Sequence, residues 1–383
     1  MSTKARIIAY YLPQFHPVPE NDKWWGKGFT EWTNVKKAKP LFKGHYQPRI
    51  PADLGYYDLR DPEVREKQAE LAREAGIEGF CYWHYWFGNG KRLLERPFQE
   101  VLESGKPDFP FCLGWANHSW TNKTWTGKDS FVQKGMLMEQ TYSKEDYVKH
   151  FHAVLPAFKD KRYIQVDGKP LFVVFDPLNI PDSPYFIVKW NELAKQNGLE
   201  GIHFAGNSEY SRIQKKGFER FYFPSQASIF SAILERKFNT VISSGAGRAN
   251  RKVKGYVRLL LDKIFFGIRV PSLRKYKHNY SDIIENYHVK EDAWPNVYPT
   301  IVPNWDRTPR TGAYREDLWH GSTPELFRQH VCNALELVKH KPDENKIIFL
   351  KSWNEWGEGN YMEPDIVFGK QYLETLKQLN IHR

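Results

Sequence analysis

Cysteine is scarce in this chain. Cys81, Cys112 and Cys332 are three thiols in 383 residues, odd in number, with no Cys-x-x-Cys spacing and each in an apolar setting. That argues against a disulfide framework and a thiolate metal site, and favours buried free thiols in a reducing compartment. His84, His118 and His320 come from distant segments and form no i,i+4 pair, so no metal and no cofactor are expected. No run approaches the roughly 18 apolar residues of a bilayer span. Residues 1–13 lack the apolar centre and small-residue cleavage site of a signal peptide, and read instead as a first strand. Nucleotide-binding signatures are absent too. Gly245-Ala246-Gly247 lacks the third glycine of a dinucleotide loop, and there is no Asp-x-Asp metal motif. Internal repeats and low-complexity tracts are also missing.

What is abundant is aromatic residue and positive charge. Phe, Trp and Tyr make up 16% of the chain, with 14 Trp, and the net charge is +11. The apolar fraction of 41% supports a sizeable core. An aromatic surplus fits flat surfaces for sugar rings, and the positive charge fits an anionic partner.

Apolar β-type runs at 6–13, 77–86, 110–116, 170–176, 202–206, 297–302 and 346–352 alternate with helical segments, and Arg220-Phe-Tyr-Phe-Pro is a candidate for the sixth strand. The helix from Pro62 is announced by Asp61 as cap and Pro62 in the first turn, with Gly76 as stop. The runs are apolar throughout, as in strands covered on both faces. A (β/α)8 TIM barrel, one domain over residues 1–383, is expected, with a long basic insertion at 228–296 between strands 6 and 7. An open doubly wound sheet is the alternative. The long aromatic loop after the first strand is expected over the barrel mouth.

The barrel reading gains weight because polar and aromatic residues gather at the strand ends. Tyr11, Glu31, Trp32, Trp83, His84, Tyr85, Asn117, His118, Asn207, Trp305, Asp306, Arg307, Asn354 and Trp356 are the candidate substrate-binding residues. Asp306 and Arg307 either pair with each other or contact sugar. Ser352-Trp-Asn-Glu-Trp-Gly-Glu-Gly359 follows the last strand and sets Glu355 and Glu358 three residues apart. Two close acids beside indoles suit glycosidic chemistry, which needs a proton donor and a second carboxylate.

Four stretches in order, Tyr10-Tyr-Leu-Pro-Gln-Phe-His16, Gly28-Phe-Thr-Glu-Trp32, Tyr82-Trp-His-Tyr-Trp86 and Trp353-Asn-Glu-Trp-Gly-Glu-Gly359, resemble the WbsX family of bacterial polysaccharide-locus proteins, which is related to the glycoside hydrolase family 99 endo-α-mannosidases. The resemblance covers nearly the whole chain. It implies a retaining endo-acting barrel enzyme. It also implies that Glu355 deprotonates a sugar 2-hydroxyl to give a 1,2-anhydro sugar, and that Glu358 is the acid/base. The insertion and the aromatic first loop depart from the mannosidases. Hydrolysis or transglycosylation of a bacterial surface polysaccharide is the leading expectation. A glycosyltransferase of O-antigen or capsule synthesis and a non-catalytic glycan-binding protein are the alternatives.

Between Glu235 and His278 there are 12 Lys/Arg and two acids, with an amphipathic helical pattern at 255–269. Three readings follow: peripheral contact with the anionic inner membrane through 235–278, contact with an anionic or lipid-linked glycan, or a helical subdomain with a solvated basic face. No nucleic-acid module frames these charges, so no nucleic acid is expected. The expected location is cytoplasmic, with peripheral contact at the inner membrane.

Overall fold

The computed structural model describes residues 5–121, 135–209, 211, 224–267, 276–312 and 317–381. Eight strands carry the architecture: β1 (Arg6–Tyr11), β2 (Gly79–Trp86), β3 (Phe111–Trp115), β4 (Lys169–Val174), β5 (His203–Asn207), β6 (Thr240–Ser243), β7 (Val297–Ile301) and β8 (Ile347–Leu350). All pair in parallel with their sequence neighbours. β8 closes the ring on β1, with Arg6 opposite Ile347 and Ala9 opposite Leu350. Closure leaves the sheet no free edge, and the result is the (β/α)8 barrel that the alternating runs predict.

The long helices are α1 (Pro62–Glu74), α2 (Arg96–Ser104), α3 (Lys144–Phe158), α4 (Ser183–Gln196), α5 (Gln226–Glu235), α6 (Ala246–Lys254), α7 (Tyr256–Gly267), α8 (Pro324–Val338) and α9 (Gln371–Ile381). α1 begins as its sequence says, with the Asp61 carboxylate accepting the Glu63 N–H at 2.9 Å. α8 likewise starts at Thr323, whose hydroxyl accepts the Leu326 N–H. Val173, Phe204, Val241, Val297 and Phe349 are fully buried, as befits strands covered on both faces.

The sixth strand is a correction. Arg220–Phe223 lies outside the described residues, and β6 is Thr240–Ser243, inside the segment 228–296 expected as insertion. This run of four residues is too short to stand out against the aromatic stretch before it. The insertion still falls between β6 and β7, but 228–239 belong to the barrel, in α5 and the approach to β6. The remainder forms α6, α7 and a short helix Tyr280–Glu285. It has its own core of Ala246, Ala249, Tyr280, Ile283, Ile284 and Tyr287, joined to the barrel through Val302, Trp305 and Trp319. Cys81 and Cys112 are buried and unbridged, while Cys332 is half-buried. No helix among the described residues is long and apolar enough to cross a membrane.

Gly79 opens β2 where a side chain has no room. A Cβ there would run into the Pro110 carbonyl and lie 2.9 Å from Ile164 Cδ1. That carbonyl accepts the Phe80 N–H at 3.0 Å, so it cannot move without breaking the β2–β3 ladder. Gly79→Ala is expected to destabilise the barrel by about 1–3 kcal/mol, read as a lower urea midpoint at unchanged slope.

Candidate active site

A cavity of about 1230 Å³ opens at the C-terminal ends of the strands. One wall is aromatic: Tyr10 from β1, Trp83 and Tyr85 from β2, Trp120 after β3 and Phe175 after β4. Trp83 lies flat on Tyr10, with ring centroids 4.7 Å apart and planes 5° from parallel. Gly114 permits this, because a Cβ there would come within 3.1 Å of the indole. The lining is also charged, with Arg307, Arg310, Lys351, Glu355 and Glu358.

The acid loop is built from β8 outward. Ser352 Oγ accepts the Glu355 N–H and donates to the Asn360 carbonyl, closing a small antiparallel turn of Asn354–Glu355 against Asn360–Tyr361. Asn354 is buried and uses its amide on both backbone groups of Leu12, accepting at 2.7 Å and donating at 3.0 Å. Trp356 stacks on Tyr361 at 3.7 Å, and its indole N–H donates to Glu363 Oε2 at 2.6 Å. Glu363 also accepts from Tyr57 and Gln68. It is a buried carboxylate held by three neutral donors, and burial pushes its pKa up to about 7. Gly357 has to be glycine, since a Cβ would land on the Glu31 carboxylate.

The two acids of the motif live in opposite environments. Arg307 Nε lies 3.0 Å from Glu358 Oε1 as an ion pair, and an Arg310 N–H donates to the same oxygen. Arg310 reaches back through Nε to Glu31 Oε1 at 2.9 Å. Burial disfavours the Glu358 anion, but Arg307, Arg310 and Lys351 outweigh it and bring its pKa down to about 2. The Glu355 side chain forms no hydrogen bond or ion pair among the described residues. Burial, and then the Glu358 charge beside it, raise its pKa to about 7. One acid is thus kept ionised and its neighbour is poised to carry a proton near neutral pH. Lys351 bridges to both oxygens of Glu209 at 2.6 Å and lies 4.2 Å over the Trp305 ring.

Of the residues expected at the site, Glu355, Glu358, Trp83, Tyr85, His118, Asn207 and Arg307 line the cavity. His118 rests on Phe175, and burial lowers its pKa to about 4, so it is neutral. The others do not line it, two of them because side chains alternate along a strand. Tyr10 and Trp83 face inward, so Tyr11 and His84 face the helix layer. There the Tyr11 hydroxyl donates to Gln68 and His84 meets His150. Asn117 ties down the backbone of Asp176 through both ends of its amide. Asn354 and Trp356 hold the acid loop as described, and Trp32 packs beside Trp356. Trp305 supports Lys351 from behind. Asp306 does not pair with Arg307. It accepts from His45 and Gln47 at 2.8 and 2.7 Å, bringing the first loop to the mouth. Glu31 is fully buried behind Arg310.

Arg310, Lys351, Trp120 and Phe175 were missed as site residues. Trp120 and Phe175 each follow a strand by a few residues and could have been found by that rule. Nothing in the local sequence marks Arg310.

The strand ends, acid pair and ring-lined mouth define a (β/α)8 barrel with a carboxylate site. A family model described as Glycosyltransferase WbsX matches residues 7–376, and the chain belongs to that family. The uncharacterized protein WxcX of Xanthomonas campestris pv. campestris strain B100 is 34% identical over 376 residues, which is 98% of this chain and 49% of that protein. The chain therefore spans about half the length of the curated relatives it matches. Among solved structures, the GH99 endo-alpha-mannosidase from Bacteroides thetaiotaomicron superposes with a TM-score of 0.56 at 14% identity, over 99% of this chain and 97% of that one. A glycoside hydrolase-like protein gives the same TM-score at 17% identity, over 99% and 94%. These two likenesses bear on the fold.

Removing Arg310 would leave the buried Glu31 without its ion-pair partner and Glu358 with Arg307 alone. Arg310→Met is expected to cost about 3–5 kcal/mol, measured by chemical denaturation. Adding Glu31→Gln should return part of that loss, because one orphaned charge disappears. Strict additivity of the two changes would contradict the network.

Proposed function

We propose that the chain cleaves or transfers internal glycosidic bonds of a polysaccharide, with Glu355 as proton donor and Glu358 as the ionised partner. The observation that carries this reading is the unpaired Glu355 carboxyl on the cavity wall, next to an arginine-held Glu358 and in the same cavity as stacked rings. A general acid has to be protonated at working pH and free to reach a leaving oxygen, and Glu355 meets both needs. Glu358 has both arginines on Oε1, which leaves Oε2 for the substrate, as stabiliser of cationic character at the anomeric carbon. This assignment reverses the roles implied by the resemblance. There Glu358 donates the proton, but a carboxyl held by two guanidiniums has none to give at neutral pH.

The fold relatives support glycan chemistry: the Bacteroides protein is a GH99 endo-alpha-mannosidase. The family description supports sugar transfer. Both outcomes share one mechanism here, and whether water or a sugar hydroxyl enters decides between them. The cavity charge favours a neutral or weakly charged glycan. Lys351 is engaged by Glu209 and Arg307 and Arg310 by Glu358, and Arg236 donates to the carbonyls of Leu178 and Ile180.

Glu355→Gln and Glu358→Gln should each lower turnover of an oligosaccharide substrate by roughly 10²–10⁴-fold. A dinitrophenyl glycoside, whose leaving group needs no proton, should restore bond cleavage in Glu355→Gln and not in Glu358→Gln. Rescue of Glu358→Gln instead would return the roles to the family assignment. Nucleotide release from a nucleotide sugar without added glycan would overturn the reading altogether.

The pH profile follows from the same assignment. The active form has Glu355 protonated, a state present below its raised pKa and lost above it. Turnover should therefore fall as pH rises through about 7. Glu358, lowered to about 2, should contribute no limb between pH 4 and 7.

A further inference from the structure

The insertion carries a surface that the cavity chemistry does not use. α7 exposes Tyr256, Val257, Leu260, Leu261 and Ile264, the first three at 84%, 76% and 60%. At 100° per residue these five positions fall within an arc of about 140°. Scattered apolar residues on a surface are ordinary, but five large ones on one face of one helix are not. The opposite face holds the helix in place. Asp262 is buried there, paired with Lys254 at 3.0 Å and Arg258 at 3.1 Å. Lys254 also reaches Asp317 at 2.6 Å. The outward arc is therefore held outward by ion pairs beneath it.

The sequence around the arc is basic: residues 235–278 contain 12 Lys/Arg against two acids, and one of those acids is the buried Asp262. Of the described ones, Lys252 is exposed on α6, which leads into α7, and Arg251 and Arg258 are half-buried. A second copy docking face to face would bring two such basic surfaces together, which like charges oppose. A glycan would leave branched aliphatic side chains unmatched. An anionic bilayer satisfies both halves, since acyl chains at the headgroup boundary take the apolar arc and lipid phosphates meet the Lys and Arg around it.

We propose that α7 is an interfacial helix that seats this protein on an anionic lipid surface. The attraction of basic residues to such a surface is screened by salt, so binding is reversible and salt-sensitive. The proposal does not depend on the glycosidic reading. The test is co-sedimentation with vesicles of 70:30 phosphatidylcholine:phosphatidylglycerol. The protein is expected to pellet with these, with at least a tenfold weaker partition onto pure phosphatidylcholine and in 0.5 M salt. Leu260→Asp combined with Ile264→Asp should abolish pelleting while leaving the thermal midpoint and cavity chemistry unchanged. Val257→Trp should report insertion by a blue-shifted emission on the anionic vesicles. Three results would overturn the proposal: wild-type protein left in the supernatant, equal pelleting of the double variant, or a solution dimer that the double variant dissociates.

Discussion

Arg310 is the cation on which the candidate site turns. It is buried between Glu31, from the first loop, and Glu358, from the loop after β8, and it bonds to both. Without it, two carboxylates would face each other in a low-dielectric wall, at a cost no barrel of ordinary stability absorbs easily. With it, Glu31 fixes the guanidinium, the guanidinium fixes one oxygen of Glu358, and Arg307 completes the shell. Glu355 is left as the carboxyl that burial and a neighbouring anion both push toward the protonated form. A difference in partners, rather than in residue type, separates the behaviour of two glutamates three positions apart.

Much of the fold was legible because barrel strands are apolar on both faces and their helices carry strong start signals, as at Asp61-Pro62 and Thr323-Pro324. β6 escaped because its four residues carry little signal and an aromatic stretch nearby drew attention. The acid pair was legible from the Trp-Asn-Glu-Trp-Gly-Glu-Gly stretch itself. The aromatic wall was read only in part. At Tyr10-Tyr11 and Trp83-His84-Tyr85 the residue types were right, and strand parity decides which of them reaches the cavity. Arg310 could not be read at all. It meets Glu31 across 279 positions and Glu358 across 48, and only closure of the barrel brings them together.

The charge of the chain and the charge of its cavity are separate matters. A net charge of +11 points to an anionic substrate when only composition is known. The cationic groups of the cavity are instead tied to carboxylates or carbonyls, while the sequence of the insertion is basic and its acid Asp262 is buried. Charge outside the cavity acts on location and encounter rather than on bond making.

Two asparagines deserve a last consequence. Asn117 holds both backbone groups of Asp176, and Asn354 holds both of Leu12, so each stitches one strand end to another with a pair of amide hydrogen bonds. Loops fastened in this way lose their freedom during folding, before any ligand arrives. At these two strand ends little further ordering is asked of the protein on association. Whatever enters the cavity meets these two strand ends already set, so their selectivity rests on fit rather than on rearrangement.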